Sequence, residues 1–188
     1  KKIRIISMHH EQAAAIAAEG FARCKGSVGV AMATSGPGAT NMITGIASCF
    51  FDSIPCVFIT GQVNTYEFKF NRPVRQVGFQ ETDIVSVVRP IVKYAQLISE
   101  PQEIRYCLEK AFYLAQSGRP GPVLLDIPMN VQRAQINAAR LKPFGRPAPD
   151  KSLDGIDAKV RGFLKALSRS LRPVVLARRT ASFARVIF

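Results

Sequence analysis

No apolar run in the chain reaches the ~18 residues that a membrane-spanning helix needs, so no membrane span is expected. The first residues, Lys1-Lys2-Ile3-Arg4-Ile5-Ile6, include basic groups but no long apolar stretch and no cleavage site. A signal peptide is therefore not expected, and the cytoplasm is the expected compartment. Four cysteines, Cys24, Cys49, Cys56 and Cys107, form no CxxC pair, and no histidine cluster accompanies them. A metal site needs several converging ligands, so the expectation is no metal site and reduced, buried thiols. The phosphate-binding patterns GxxxxGK[ST] and GxGxxG are both missing, which argues against ATP and NAD. Internal repeats and low-complexity tracts are missing as well.

What is present is ample apolar material: 47% of 188 residues, enough to bury a core in one full domain and part of a second. The net charge of +13 is unevenly placed. Residues 1–132 hold 13 basic and 10 acidic side chains, whereas residues 133–188 hold 13 basic and 3 acidic. The excess sits in the tail, without the interleaved aromatic surface on which nucleic-acid bases stack, so no nucleic-acid partner is expected.

Apolar strands alternate with helical stretches. Ile3–Ile6, Val28–Ala33, Ile54–Thr60, Ile91–Ile98 and Pro122–Ile127 read as strands. His10–Cys24, Ala39–Phe50, a short Glu81–Val88 and Pro101–Gln116 read as helices, with Gly26 and Gly118 at stop positions. Strands that are apolar throughout predict a parallel sheet with helices on both faces. Between Gly61 and Gly78 runs a long polar and basic loop, a length often tied to function. The predicted organisation is a domain over 1–136, a linker over 137–152 containing Pro143, Pro147 and Pro149, and the start of a second α/β domain over 153–188. In that last part, 153–171 reads as a helix and 173–177 as a strand.

Two features carry chemistry. Ser35-Gly36-Pro37-Gly38-Ala39-Thr40-Asn41 joins a strand to a helix. Glycines there let backbone approach a ligand, and the helix start offers free N–H groups. The same turn would also serve as a tight connection with no ligand. Glu11 opens a helix after a strand, which puts it near the C-terminal edge of the sheet, where open α/β folds bind ligands. Its sequence neighbours Ile6, Met8, Ala13, Ala14 and Ala15 predict an apolar setting and a raised carboxyl pKa. The alternative is that Glu11 only favours the positive end of the helix.

Six blocks occur in order: His10-Glu11-Gln12-Ala13-Ala14, Glu19-Gly20-Phe21-Ala22-Arg23, Thr34 to Asn41, Thr60-Gly61-Gln62-Val63, Phe79-Gln80-Glu81-Thr82-Asp83 and Gly118-Arg119-Pro120-Gly121-Pro122-Val123. The series resembles the acetolactate synthase (acetohydroxyacid synthase) group of thiamine-diphosphate enzymes from about Ile3 to Gln132, and more weakly to about Ala177. The resemblance implies a domain that binds the aminopyrimidine half of thiamine diphosphate. It implies that Glu11 hydrogen-bonds the ring nitrogen opposite the amino group and so activates the cofactor. A raised pKa in a dry site would suit that role. Ser35, Gly36, Pro37, Gly38 and Asn41 match the turn that lies against the pyrimidine and a dimer partner. Gln62, Phe79 and Gln80 match residues facing the pocket, and Lys93 matches a lysine lining the substrate channel. Arg119 matches a structural turn, and His9 and His10 are expected as local hydrogen-bond donors.

The implied reaction decarboxylates a 2-keto acid such as pyruvate and ligates it to a second keto acid, as in branched-chain amino acid biosynthesis, within a homodimer or homotetramer. Other keto acid decarboxylases or carboligases share the scaffold, and a non-catalytic pairing domain is a third reading. The family's first helix and strand, expected ahead of Lys1, are missing from this chain. So is the Gly-Asp-Gly motif that, with a distal Asn, holds Mg²⁺ and diphosphate in a C-terminal domain. The chain is therefore expected to be a fragment that is inactive alone, and FAD in the middle domain is left open. Arg178-Arg179-Thr180-Ala181-Ser182-Phe183 replaces a glycine-rich turn, which suggests an altered C-terminus. The loop 64–77 is longer than in the biosynthetic synthases, which leaves the exact substrate undecided.

Overall fold

Four short runs, rich in Val, Ile, Leu and small residues, pair into one sheet in a computed structural model that describes residues 3–148 and 155–174. They are β1 (Gly29–Ala33), β2 (Cys56–Gln62), β3 (Tyr94–Leu97) and β4 (Pro122–Pro128). Every pairing is parallel, in the order β1-β2-β4-β3. Ala33, Gln62, Pro128 and Leu97 therefore all finish at one edge. The register sets Thr60 of β2 beside Asp126 of β4, and Leu97 of β3 beside the same aspartate.

Seven α-helices are found among the described residues: α1 (Glu11–Lys25), α2 (Pro37–Asn41), α3 (Ile43–Phe51), α4 (Ile84–Val88), α5 (Ile104–Gln116), α6 (Met129–Arg133) and α7 (Ile156–Arg169). The expected parallel sheet with helices on both faces is present. One face packs Ala15, Ala18 and Ala22 of α1, Ile46 and Cys49 of α3, and Ile84 and Val88 of α4 against Phe58 and Leu124. The other packs Cys107, Ala111 and Ala115 of α5 against Val57, Val123 and Leu125. Burying a side chain such as Phe58 or Leu124, both 0% exposed, stabilises the fold by ~1.5–3 kcal/mol relative to leaving it in water. α1 and α3 approach closely because Gly45 lacks a side chain: a Cβ there would lie 2.5 Å from the Cβ of Ala15. Cover is uneven, since Val30 and Met32 of β1 are 45% and 67% exposed.

Local signals explain the helix ends. His10 is the N-cap of α1, and its Nδ1 accepts a hydrogen bond from the Gln12 N–H at 3.1 Å. His10 is thus an acceptor, not the donor expected. Gly26 closes the helix in the left-handed conformation, φ 62°. The second predicted helix starts earlier than Ala39, with Pro37 at its first position, where a missing N–H costs nothing. It is also interrupted at Met42, whose N–H bonds to the Ala39 carbonyl instead of continuing the i→i−4 ladder.

Three other expectations are corrected. Ile3–Ile6 is not a strand; Ile3, Ile5 and Ile6 are 88%, 81% and 65% exposed. An apolar run becomes a strand only when a ladder partner takes its N–H and C=O groups, and none among the described residues pairs with it. Gly61 and Gln62 belong to β2 and not to the loop that follows. Cys49, Cys56 and Cys107 are buried free thiols, but Cys24 in the last turn of α1 is exposed.

The chain divides into two compact units, the first running through Phe144 and the second over 145–179. Residues 137–144, within the predicted linker, pack onto α5. Leu141 is buried, the Phe144 ring stands edge-on to Tyr106 at 5.5 Å, and the Phe144 N–H donates to Glu109 at 2.8 Å. In the second unit α7 occupies most of the helix predicted over 153–171, and Ile156, Val160, Phe163 and Leu164 are exposed. Of the strand predicted over 173–177, residues 175–177 lie outside the described residues, as does all of 178–183. Among the described residues no helix is long and apolar enough to cross a membrane.

Candidate active site

Glu11 stands at the first position of α1 and Asn41 at the last of α2, thirty residues apart in sequence and joined in space. The Asn41 Nδ2 donates to the Glu11 Oε2 at 3.0 Å. Gly38 lies alongside: a Cβ on it would fall 2.7 Å from the Thr34 Cγ2 and 3.5 Å from the Glu11 Oε1. The tight contact is with Thr34, so a larger residue would have to displace the Thr34 methyl, while the carboxylate is at ordinary contact distance. The Glu11 pKa is lowered, contrary to the expected rise. The Asn41 amide is the main cause, followed by the residue's own backbone N–H; the opposing effect of burial is smaller, and nearby His10 lowers it a little further. The apolar neighbours in sequence do not enclose it, because Ile6 is 65% exposed and Met8 is 42% exposed.

Gly36 begins the same turn at φ 60° and ψ −126°, a conformation that favours glycine. A Cβ there would sit 2.7 Å from the Gln80 carbonyl oxygen and 2.8 Å from the Gln80 Cβ. Gln80 itself has φ 58°, so two unusual backbone positions abut. Beyond them a groove of about 700 Å³ opens at the C-terminal ends of β1, β2 and β4. Ser35, Thr60, Gln62, Phe79, Gln80 and Met129 are among its walls. Phe79 is 83% exposed.

The structure therefore gathers the predicted residues in two adjoining groups. Glu11, Gly38 and Asn41 form one; Ser35, Gln62, Phe79 and Gln80 line the groove; Gly36 joins them by its contact with Gln80. Pro37 contributes by starting α2. Gln62 is only 3% exposed, and its amide is committed to the protein. Its Nε2 donates to the Thr82 carbonyl at 2.7 Å and the Asp126 Oδ2 at 2.8 Å, while its Oε1 accepts from the Val63 N–H at 3.0 Å. Lys93 does not join either group. It lies at the opposite edge of the sheet, where its backbone N–H meets Pro122 and its ammonium donates to the carbonyls of Leu114 and Ser117 at the end of α5. Partial burial lowers its pKa. Arg119 is at that edge too, donating to the Ser53 hydroxyl at 2.7 Å and bracing the turn.

Asp126 was not singled out in the sequence, yet it is the centre of the buried polar cluster beneath the groove. It is 1% exposed and accepts from the Thr60 hydroxyl at 2.6 Å as well as from Gln62. Burial pushes its pKa up to about 7; the bonds from Thr60 and Gln62 oppose this, and the charge of Asp83 adds to it. The signal was legible: a lone acid inside the apolar run Val123-Leu124-Leu125-Asp126-Ile127 demands partners. No group of three His, Cys, Asp or Glu side chains that could hold a metal occurs among the described residues.

Residues 1–87 match the family described as thiamine pyrophosphate enzyme, N-terminal TPP binding domain. An acetolactate synthase of Arthrospira platensis is 48% identical over 145 residues, covering 76% of this chain and 24% of that protein. The acetolactate synthase isozyme 3 large subunit of Escherichia coli K12 is 41% identical over 174 residues, covering 93% of this chain and 28% of that protein. The chloroplastic acetolactate synthase of Arabidopsis thaliana is 40% identical over 183 residues, covering 92% and 25%. The chain spans about a quarter of the length of these relatives.

Proposed function

The chain belongs to the thiamine pyrophosphate enzyme family, in its acetolactate synthase-like group, and from that premise we propose that its first unit supplies the pyrimidine-side half of a thiamine-diphosphate site. The parent activity under this reading is decarboxylation of a 2-keto acid such as pyruvate and its ligation to a second keto acid. The observation that supports it most directly is the Glu11 carboxylate, held by Asn41 at 3.0 Å beside the side-chain-free Gly38. When bound, thiamine diphosphate supplies the nucleophilic carbon and the electron sink that decarboxylation requires.

The chain's own residues have defined tasks in this reading. Glu11 shares a proton with the pyrimidine ring nitrogen, and the Asn41 amide fixes the orientation of the carboxylate. In the free protein the lowered pKa keeps Glu11 ionised. A ring nitrogen hydrogen-bonded to Glu11 would exclude water from the carboxylate and favour its neutral form, so its proton affinity would rise on binding. Gly36 admits the close approach of Gln80 and Gly38 that of Thr34, which shapes the turn beside Glu11, while Ser35, Phe79 and Gln80 wall the groove where a keto acid would sit. Gln62 acts through the wall, tying β2 to Thr82. Lys93 is left out of the pocket in this single chain. Mg²⁺ and diphosphate call for donors outside the described residues, and any FAD would belong to the segment beyond Phe144. A second subunit closes the open side of the groove, giving a dimer or tetramer.

The test is a hybrid of this chain with the remainder of the Escherichia coli relative, supplied with thiamine diphosphate, Mg²⁺ and pyruvate. Acetolactate is the expected product. An aldehyde as sole product would reassign the reaction to simple decarboxylation. A folded, assembled hybrid that consumes no pyruvate would contradict the reading.

A further inference from the structure

The long loop after β2 is anchored at one carboxylate that no catalytic reading uses. Glu81 is 6% exposed, and its oxygens accept three backbone N–H groups: Lys69 at 2.7 Å, Val77 at 2.6 Å and Gly78 at 3.2 Å. These donors come from both arms of the loop, so a single side chain closes a long excursion of backbone. Bonds to an ionised acceptor are the strong kind, and three on one buried carboxylate leave it well satisfied. The base of the loop is drawn tight as well. A Cβ on Gly78 would fall 2.9 Å from the Val63 Cγ1, so the two ends of the loop are in contact. Near the tip, Phe68 is buried against Phe70. The entrance is tied to α6 by a reciprocal pair, the Thr65 N–H to the Asn130 Oδ1 at 3.0 Å and the Asn130 Nδ2 to the Thr65 hydroxyl at 2.9 Å. A swinging lid would have none of these restraints.

The clamp continues into the groove. The Glu81 N–H bonds to the Gly78 carbonyl at 3.2 Å, enclosing Phe79 and Gln80 in a single turn. That turn holds Gln80 at φ 58° with its carbonyl and Cβ against Gly36. Gly36 opens the turn that carries Gly38 and Asn41 to Glu11.

We propose that Glu81 is a positioning residue: by gathering the Lys69, Val77 and Gly78 N–H groups it sets Phe79 and Gln80 as a fixed groove wall and seats Gln80 against Gly36, so that the loop and the Glu11-bearing turn keep one geometry. This stands independently of which ligand fills the groove. The test uses the full 188-residue chain and its variants Glu81→Gln and Glu81→Asp, followed by NMR and amide hydrogen exchange. In Glu81→Gln one acceptor oxygen becomes a donor, and exchange at Lys69, Val77 and Gly78 is expected to quicken at least ~10-fold, the equivalent of about one lost charge-assisted hydrogen bond. The native-state resonances of Gly36 and Gln80 should move, while Val57 and Leu125 in the sheet keep their exchange rates. Glu81→Asp retains charge and acceptors on a shorter arm and should restore part of both effects. A lower melting temperature with unmoved Gly36 and Gln80 resonances would overturn the proposal, because a merely stabilising residue behaves that way. Unchanged exchange at the three loop amides would overturn it too. If Glu81→Gln does not fold, the same two readouts on Glu81→Asp decide.

Discussion

Glu11 and Asp126 are both carboxylates near the C-terminal edge of the same sheet, yet the protein moves their proton affinities in opposite directions. Glu11 is only partly covered and its charge is welcomed by an amide and a backbone N–H, so its pKa falls. Asp126 is sealed in a strand interior, and two good hydrogen bonds do not offset its desolvation, so its pKa rises to about 7. What differs is enclosure in space, and apolar neighbours in sequence do not measure it. Ile6 and Met8 next to Glu11 point into water, whereas Leu124 and Leu125 next to Asp126 are fully buried.

The sharpest way to break the contrast is to remove the buried partner. Asp126→Ala leaves the Thr60 hydroxyl without its acceptor and takes from the Gln62 amide one of its two, at an expected cost of about 2–4 kcal/mol in urea unfolding. The equivalent truncation at Glu11 should leave the unfolding midpoint nearly unchanged. Next in size is Gly36→Ala, which forces a Cβ into the Gln80 backbone at a positive φ; about 1–3 kcal/mol is expected in the same measurement.

The pH dependence separates the two acids by sign. A folded-state pKa raised above the unfolded value means that the unfolded chain releases its proton first. The Asp126 contribution to stability is therefore fully present below about 4, the ordinary carboxylate value, and declines as pH rises to about 7. Asp126→Asn should flatten that decline in unfolding curves taken across the window. For Glu11 the sign reverses: its contribution is present above the ordinary value and is lost only as pH falls below it. The smallest effect belongs to Asn41→Ala. It should shift the Glu11 carboxyl titration, followed by NMR, upward toward the ordinary value, with stability changed by no more than about 0.5 kcal/mol.

Periodicity and turn chemistry revealed the parallel sheet and the Gly26 stop, because each is a local rule written in local residues. What escaped was set by distant partners. Ile3–Ile6 had strand composition, but among the described residues no strand pairs with it. Lys93 stood at a matching position, but the fold turns its ammonium to the end of α5. The Glu11–Asn41 bond and the three-donor seat of Glu81 cross 30 and up to 12 residues of chain, spans that no window pattern reports. Asp126 alone was within reach, since an acid inside a buried strand must be paired.

Exchange of the thiazolium C2 proton tests most directly the proposal that Glu11 activates the cofactor. In the hybrid with the Escherichia coli relative, Glu11→Gln should slow that exchange at least ~100-fold, in the range expected for a lost acid–base group, while the protein stays folded and still binds thiamine diphosphate. Exchange at the unmutated rate in a folded, cofactor-bound variant would contradict the account.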